Sequence, residues 1–469
     1  MATEAPPSAP RPAAPGDSLD RFFHISERGS NVRTEIIAGL ATFLTMSYIL
    51  FVNPSIIAGL KDHTGHALQF QQVLTVTALV AGVMTLLMGL YANYPFAMAA
   101  GLGLNAFVAF TLVVASGLTW PQAMGVIVTE GLVITALVLT GFREAVLNAI
   151  PMDLKRSIGI GIGLFIALIG FVNAGVVIPG PPGVPVTIVH NFRSWPLLIF
   201  AIGFVVTAAL VARKMRGALL LGIVFTTVLA TIVNEIKHLK VFTDGSAVVP
   251  HHWPAPSFSL LGKFTFDFWS ALGTGTAIAI VLSVMLSDFF DTMGTVIGIA
   301  GEAGLLDKDG RLPGIQKVLI VDSLGAAAGG AASASSNTTY IESAAGVSEG
   351  GRTGLTSVVV GVLFLASLLI APLAGIVPKV GTAPVLIIVG YFMMTMVKDI
   401  NWTDPGIGIP ALLTIVVMPY TYSITNGVGA GFIAFTVIAI LRGKAREVHW
   451  LMYLVAAVFG WYFFHGVVG

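Results

Sequence analysis

The sequence predicts an all-α membrane protein of about fourteen transmembrane segments in a 7+7 inverted repeat, with short extended pieces breaking segments 3 and 10. Three observations carry this. Of 469 residues, 56% are hydrophobic and only 10% charged, against about 25% charge in a soluble globular domain. Apolar runs long enough to cross about 30 Å of hydrocarbon recur from end to end. Basic residues collect in alternate loops between those runs, as the positive-inside tendency requires.

Residues 1–30 are rich in Pro and Ala and lack an apolar h-region, so they read as a disordered tail with an interfacial helix, not a cleavable signal. Arg21, Arg28 and Arg33 precede the first run and favour a cytoplasmic N-terminus. Seven runs follow, at 36–52, 72–91, 97–115, 121–141, 156–172, 195–212 and 217–234. A polar stretch over about 235–270, holding His251, His252 and Trp253, reads as an extramembrane loop. Beyond it lie runs at 273–300, 316–334, 340–348, 353–377, 383–397, 407–441 and 449–466. Arg143, Lys155 and Arg156, then Arg213, Lys214 and Arg216, then Lys308, Arg311 and Lys317, and then Arg352 all fall an even number of crossings from the N-terminus. The 407–441 run is too long for one straight helix, which leaves the side of Arg442, Lys444 and Arg446 open. An odd number of segments per half inverts the second half relative to the first.

Two segments are too short and too polar at their starts to be full spanning helices. Tyr94 to Gly103 and Thr339 to Ser348 each read as an extended piece followed by a half-helix, and they share Ala-Ala-Gly at the same place, which puts Glu342 opposite Ala97. A half-helix that starts inside the membrane offers unpaired N–H groups and a positive dipole end. Irregular backbone at that depth is tolerated only where it is buried in protein or lines a cavity. The structural alternative is an ordinary turn at Asn93-Tyr94-Pro95 and at Ser335-Ser336-Asn337.

Carboxylates decide between these readings. Asp288 and Asp291 follow the apolar run 276–285 at i, i+3 spacing, which puts them on one helical face. Glu342 sits in the second interrupted segment. Three acids at membrane depth cost several kcal/mol unless paired, protonated or solvated, so a functional role is the default. For Asp288 the structural alternative is a helix-end or helix–helix hydrogen bond. Asp322 and Glu130 also lie within apolar runs; each is either a packing contact or a proton-path group, and packing is the plainer reading for both.

Other chemistry is excluded or weak. The net charge of +1 points to no nucleic acid partner. The absence of cysteine removes disulfides, thiolate nucleophiles and Cys-type metal sites. No histidine falls beside the acids, so no metal and no cofactor is expected. Gly101-x-Gly103 lacks the strand and spacing of a dinucleotide fingerprint.

The segments 34–49, 99–107, 287–295 and 335–347 resemble the AzgA-like purine permeases, a branch of the nucleobase/ascorbate (nucleobase:cation symporter-2) superfamily. The resemblance runs over nearly the whole chain from about residue 20. It implies a uracil-permease-like fold with a core domain (31–145 and 271–377) and a gate domain (146–234 and 378–469). It also implies a secondary transporter of adenine, guanine or hypoxanthine in the cell's plasma membrane, not an enzyme. Glu342 matches the glutamate of segment 10 that binds the base, and Asp291 takes the place of the segment 8 glutamate. Asp288 and Asn105 match polar residues of the branch; Phe96 and Ala97, with Tyr340 and Ile341, match the extended pieces that meet the ligand. The related uracil permeases carry Gln-His in segment 1 and a further His in segment 8, where this chain has Phe43 to Met46 and Thr295. A coupled proton, preferred over sodium, must therefore use Asp291, Asp288 or Glu342. The resemblance leaves a homodimer open.

A purine is planar and carries ring N–H groups that a carboxylate can accept from, while backbone N–H can donate to a ring carbonyl. Two competing classes make different demands on the sequence. An anion transporter or channel on the same fold would need Arg or Lys where this chain has acids. An intramembrane aspartyl hydrolase would need its acids on facing helices, whereas Asp288 and Asp291 share one.

Overall fold

A computed structural model describes residues 18–140, 150–181, 186–191, 193–237, 242, 246–248, 255–308, 311–369 and 376–468. Helices dominate, because in hydrocarbon every backbone polar group must find a partner within the protein. Among the described residues nine helices are long and apolar enough to cross a membrane, and four shorter apolar helices accompany them. His251, His252, Trp253 and Arg143 lie outside the described residues.

In the first half α1 (Ser18–Phe23) precedes α2 (Val32–Met46), which Asn31 caps by accepting from Thr34 N. Then come α3 (Ile49–Ile57) and α4 (Phe70–Leu87), extended by a π-helical turn to Asn93, whose φ of 56° ends it. Strand β1 (Met98–Ala100) leads into α5 (Leu102–Ala106) with its π-helical continuation Phe107–Ala115, and then α6 (Trp120–Thr140). Helix α7 (Met152–Asn173) is followed by the short strands β2 (Val177–Pro179) and β3 (Val186–Ile188), then α8 (Trp195–Ala212) and α9 (Ala218–Lys237).

The second half repeats the plan. After α10 (Phe268–Leu272) come α11 (Thr274–Glu302) and α12 (Ile315–Ala331). Strand β4 (Asn337–Thr339), α13 (Ser343–Ser348) and α14 (Gly354–Ala366) follow. The last helices are α15 (Lys379–Met394), α16 (Pro405–Thr421), α17 (Ile424–Leu441) and α18 (Trp450–Val468).

The two interrupted segments meet. β1 and β4 pair antiparallel, with Met98 opposite Thr339 and Ala100 opposite Asn337. Gly101 N donates to Ser336 O and Tyr340 N to Ala97 O, both at 2.9 Å. This corrects the sequence echo: Ala99-Ala100 lies in a strand, while Ala344-Ala345 lies in the helix beyond the other strand. Hydrogen-bond pairing fixes the equivalence, and three small residues carry too little information to locate it.

The 407–441 run is two helices. Tyr422, at φ 52°, breaks it, and Ser423 caps α17 by accepting from Asn426 N. The pair is antiparallel and close, because Gly427 faces Thr414 and Met418 while Gly431 faces Thr414 and Pro410. Arg442 therefore returns to the level of Asp404 and pairs with it at 2.6 Å. At the same end Arg156 donates to Asp399 O, Arg28 donates to Asn93 O and Arg352 O, and Arg216 pairs with Glu349. The opposite end is marked by Trp120, whose indole donates to Leu60 O. These arginines thus gather at one end of the bundle.

Small residues set the helix contacts, as expected where lipid gives no hydrophobic drive between helices. Gly131 of α6 faces Ala327 of α12, and Gly330 of α12 faces Val128. Gly163 and Gly170 of α7 meet Gly390 and Ala383 of α15.

Candidate functional site

The strand crossing is held by side chains, because neither strand has a second neighbour. Thr85 Oγ1 meets both N and O of Met98. Asp322, on α12, binds β4: its Oδ1 accepts from Thr339 N and Thr339 Oγ1, both at 2.8 Å, and its Oδ2 from Thr292 Oγ1 at 2.7 Å. One buried carboxylate thereby joins α11, α12 and β4.

Glu342 stands at the N-cap of α13, half-buried, and its Oε1 accepts from Tyr48 Oη at 2.5 Å. Tyr48 lies at the joint between α2 and α3, a residue that the sequence reading did not single out. Its visible signal was a polar aromatic inside an otherwise apolar run. Asp291 is exposed on α11 and lies close to Glu342, Tyr340 and Asp322. Among the described residues no Lys, Arg or His pairs with Glu342 or Asp291.

Asp288 is turned deeper than Asp291, although both lie near Asp322. The 3.6-residue repeat turns it into the bundle, where it is wholly buried and Oδ2 accepts from Ser336 Oγ at 3.4 Å. The expectation of one common face holds for the helix but not for what each acid meets. Asn105 is also wholly buried, and neither its amide oxygen nor its nitrogen is bonded.

The extended pieces are less free than expected. Phe96 and Ala97 are buried; Ala97 N donates to Ser343 Oγ, Ala97 O accepts from Tyr340 N, and Phe96 O accepts from Ser357 Oγ. Tyr340 Oη donates to Ala100 O. Only Ile341 of this group presents a large exposed side chain, at 55%.

Beyond Asp291, Gly294, Gly298 and Gly301 continue an exposed stripe along α11 toward the basic end. A Cβ at Gly294 or Gly298 would meet nothing within 4 Å. Two further cavities, of about 370 and 400 Å³, are lined almost wholly by hydrocarbon and hold none of the acids.

A profile described as the Permease family matches residues 33–430. The chain belongs to this permease family. It falls in the purine-permease branch of the nucleobase:cation symporter-2 superfamily, and it is a multi-pass transporter, not an enzyme. The permease is 39% identical to adenine permease AdeP of Escherichia coli, over 94% of this chain and 95% of AdeP. It is likewise 39% identical to guanine/hypoxanthine permease PbuG of Bacillus subtilis, over 95% of this chain and 99% of PbuG. Among solved structures, the transmembrane domain of the cyanobacterial bicarbonate transporter BicA matches at TM-score 0.59 and 14% identity, covering 86% of this chain and 97% of that one. Murine Slc26a9, an anion transporter in the inward-facing state, matches at TM-score 0.61 and 13% identity, covering 93% of this chain and 74% of that one. At such identity these two share the fold alone.

Proposed function

We propose that this permease imports a purine nucleobase (hypoxanthine, guanine or adenine) by proton symport across the plasma membrane, with the N-terminus cytoplasmic. The observation that carries it is Glu342, a half-buried carboxylate steadied by Tyr48, beside exposed Asp291 and, among the described residues, without a paired cation. Such a pair accepts from the N–H edges of a neutral planar base and repels an anion. The names of AdeP and PbuG support the purine class. The same acids weigh against an anion substrate, although the fold neighbours carry anions.

Glu342 fixes the base, Asp291 completes the acceptor set, and Asn105 offers an unbonded amide. Helices α2 to α6 with α11 to α14 form the core domain; α7 to α9 with α15 to α18 form the gate. The core moves against the gate, by rocking or an elevator-like shift, to alternate access. Uptake of labelled hypoxanthine into proteoliposomes, competed by a panel of bases, tests this. Glu342→Gln should cut uptake by about 100-fold, the scale of a lost charge-assisted bond. Unchanged uptake in that variant would remove Glu342 from the site.

A further inference from the structure

Glu130 of α6 is wholly buried, and neither carboxyl oxygen has a hydrogen-bond partner. Its carboxyl faces Asp288 of α11 and Ser336 ahead of β4. Asp288 has an unbonded Oδ1, and its Oδ2 has only the long bond from Ser336. Ser287 Oγ and Asn337 Nδ2, on the residues adjoining Asp288 and Ser336, are buried and unbonded too.

Two other buried acids are surrounded by donors. Glu35 accepts from Arg352 N at 2.9 Å, Thr353 N at 3.2 Å and Thr356 Oγ1 at 2.6 Å. Asp322 accepts from Thr292 and twice from Thr339. Glu130 and Asp288 have a single weak donor between them. The charged groups that face the pair are Asp322 from α12 and Asp291 from α11, both acids, and among the described residues no Lys, Arg or His pairs with Glu130 or Asp288. Two carboxyls in contact without donor or cation cannot both be ionised. A proton between them supplies the missing donor and removes the charge. A metal is the poorer fit, since among the described residues no group of three or more His, Cys, Asp or Glu could hold one.

We propose that Glu130 and Asp288 form a carboxyl pair that holds the coupled proton, away from the carboxylate that holds the base. Asp288 lies one helical turn from exposed Asp291, which gives the proton an exit to the cleft. Cargo and driving ion then occupy different acids, Glu342 and the pair. This rests on the base-transport reading, and the experiment separates the two.

Full-length protein in proteoliposomes, with hypoxanthine as the probe, compares wild type with Glu130→Gln. The variant should bind hypoxanthine and exchange it at equal pH within about threefold of wild type, while accumulation driven by a proton gradient falls by at least about tenfold. Accumulation at the wild-type level overturns the proposal. So does joint loss of binding and exchange in a variant that still unfolds cooperatively. If the variant does not fold, the infrared spectrum of wild type decides. A protonated carboxyl C=O band at neutral pH that shifts on adding hypoxanthine supports the pair, and its absence overturns it. Wild type that neither binds nor exchanges a purine sinks the base-transport reading instead.

Discussion

Tyr48 donates to one oxygen of Glu342, which fixes the carboxylate's direction and leaves the other oxygen for an occupant. Tyr48→Phe keeps the ring and removes only that bond. A bond to a charged group is worth about 1.5–3 kcal/mol, so the variant should bind hypoxanthine about 10- to 100-fold more weakly with its melting temperature little changed. An unchanged Kd, read by equilibrium binding in detergent, would show that Tyr48 does not orient Glu342. Away from the membrane, Asp62 anchors the loop after α3. Burial pushes its carboxyl up, but bonds from Thr64 Oγ1, Trp120 N, His66 N and Thr64 N outweigh this and hold it below the ordinary aspartate value. A lowered folded value means stability that is present above the unfolded pKa of about 3.9 and lost as pH falls through the folded one. Asp62→Asn should therefore unfold more readily than wild type at pH 7, by about 1–2 kcal/mol, with the gap closing below pH about 4. Thermal melts in detergent at the two pH values check the sign.

The α6–α12 contact shows what an element contributes to the proton pair. Gly131 follows Glu130 directly, and a Cβ there would lie 2.8 Å from Ala327 Cα, so the two helices touch at backbone distance. Gly131→Val must push them apart, at a cost of about 1–3 kcal/mol, and would move Glu130 away from Asp288. The expected outcome is a lower melting temperature and weaker gradient-driven uptake, with Gly460→Ala, which lies on α18 outside the stripe and meets open space, as the silent control. The apolar runs were legible as hydrocarbon, and both interruptions and the acids at 288, 291 and 342 as local departures from it. The strand register was not, since Ala-Ala-Gly fits a strand and a helix alike. The length of the 407–441 run asked for a break, but its place at Tyr422 was not legible, because Tyr420 to Asn426 offers several polar residues and the left-handed one is set by the packing of α16 on α17. Glu130 read as packing because its partners, Asp288 and Ser336, belong to the other half of the chain and only the fold brings them together.

At the scale of the molecule, the inverted halves place their interrupted segments back to back while the basic residues mark one end. Arg216, in the turn between α8 and α9, pairs with Glu349 just beyond α13, so an ion pair joins the two groups of helices at that end. The exposed stripe from Asp291 through Gly294, Gly298 and Gly301 runs to the same end. The chain contains no cysteine, so Gly298→Cys introduces a single thiol. Nothing lies within 4 Å of the added Cβ, and the fold should accept it. A membrane-impermeant maleimide should label this thiol from the side that carries Arg28, Arg216 and Arg352, and faster than from the other side. A bound base that draws the core toward the gate would close the stripe, and labelling should then slow by about tenfold, the size of a modest population shift. Labelling only from the side of Trp120 would mean that the cleft opens the opposite way. A rate indifferent to base would separate occupancy of Glu342 from movement of α11, and the core would then carry its cargo without closing over it.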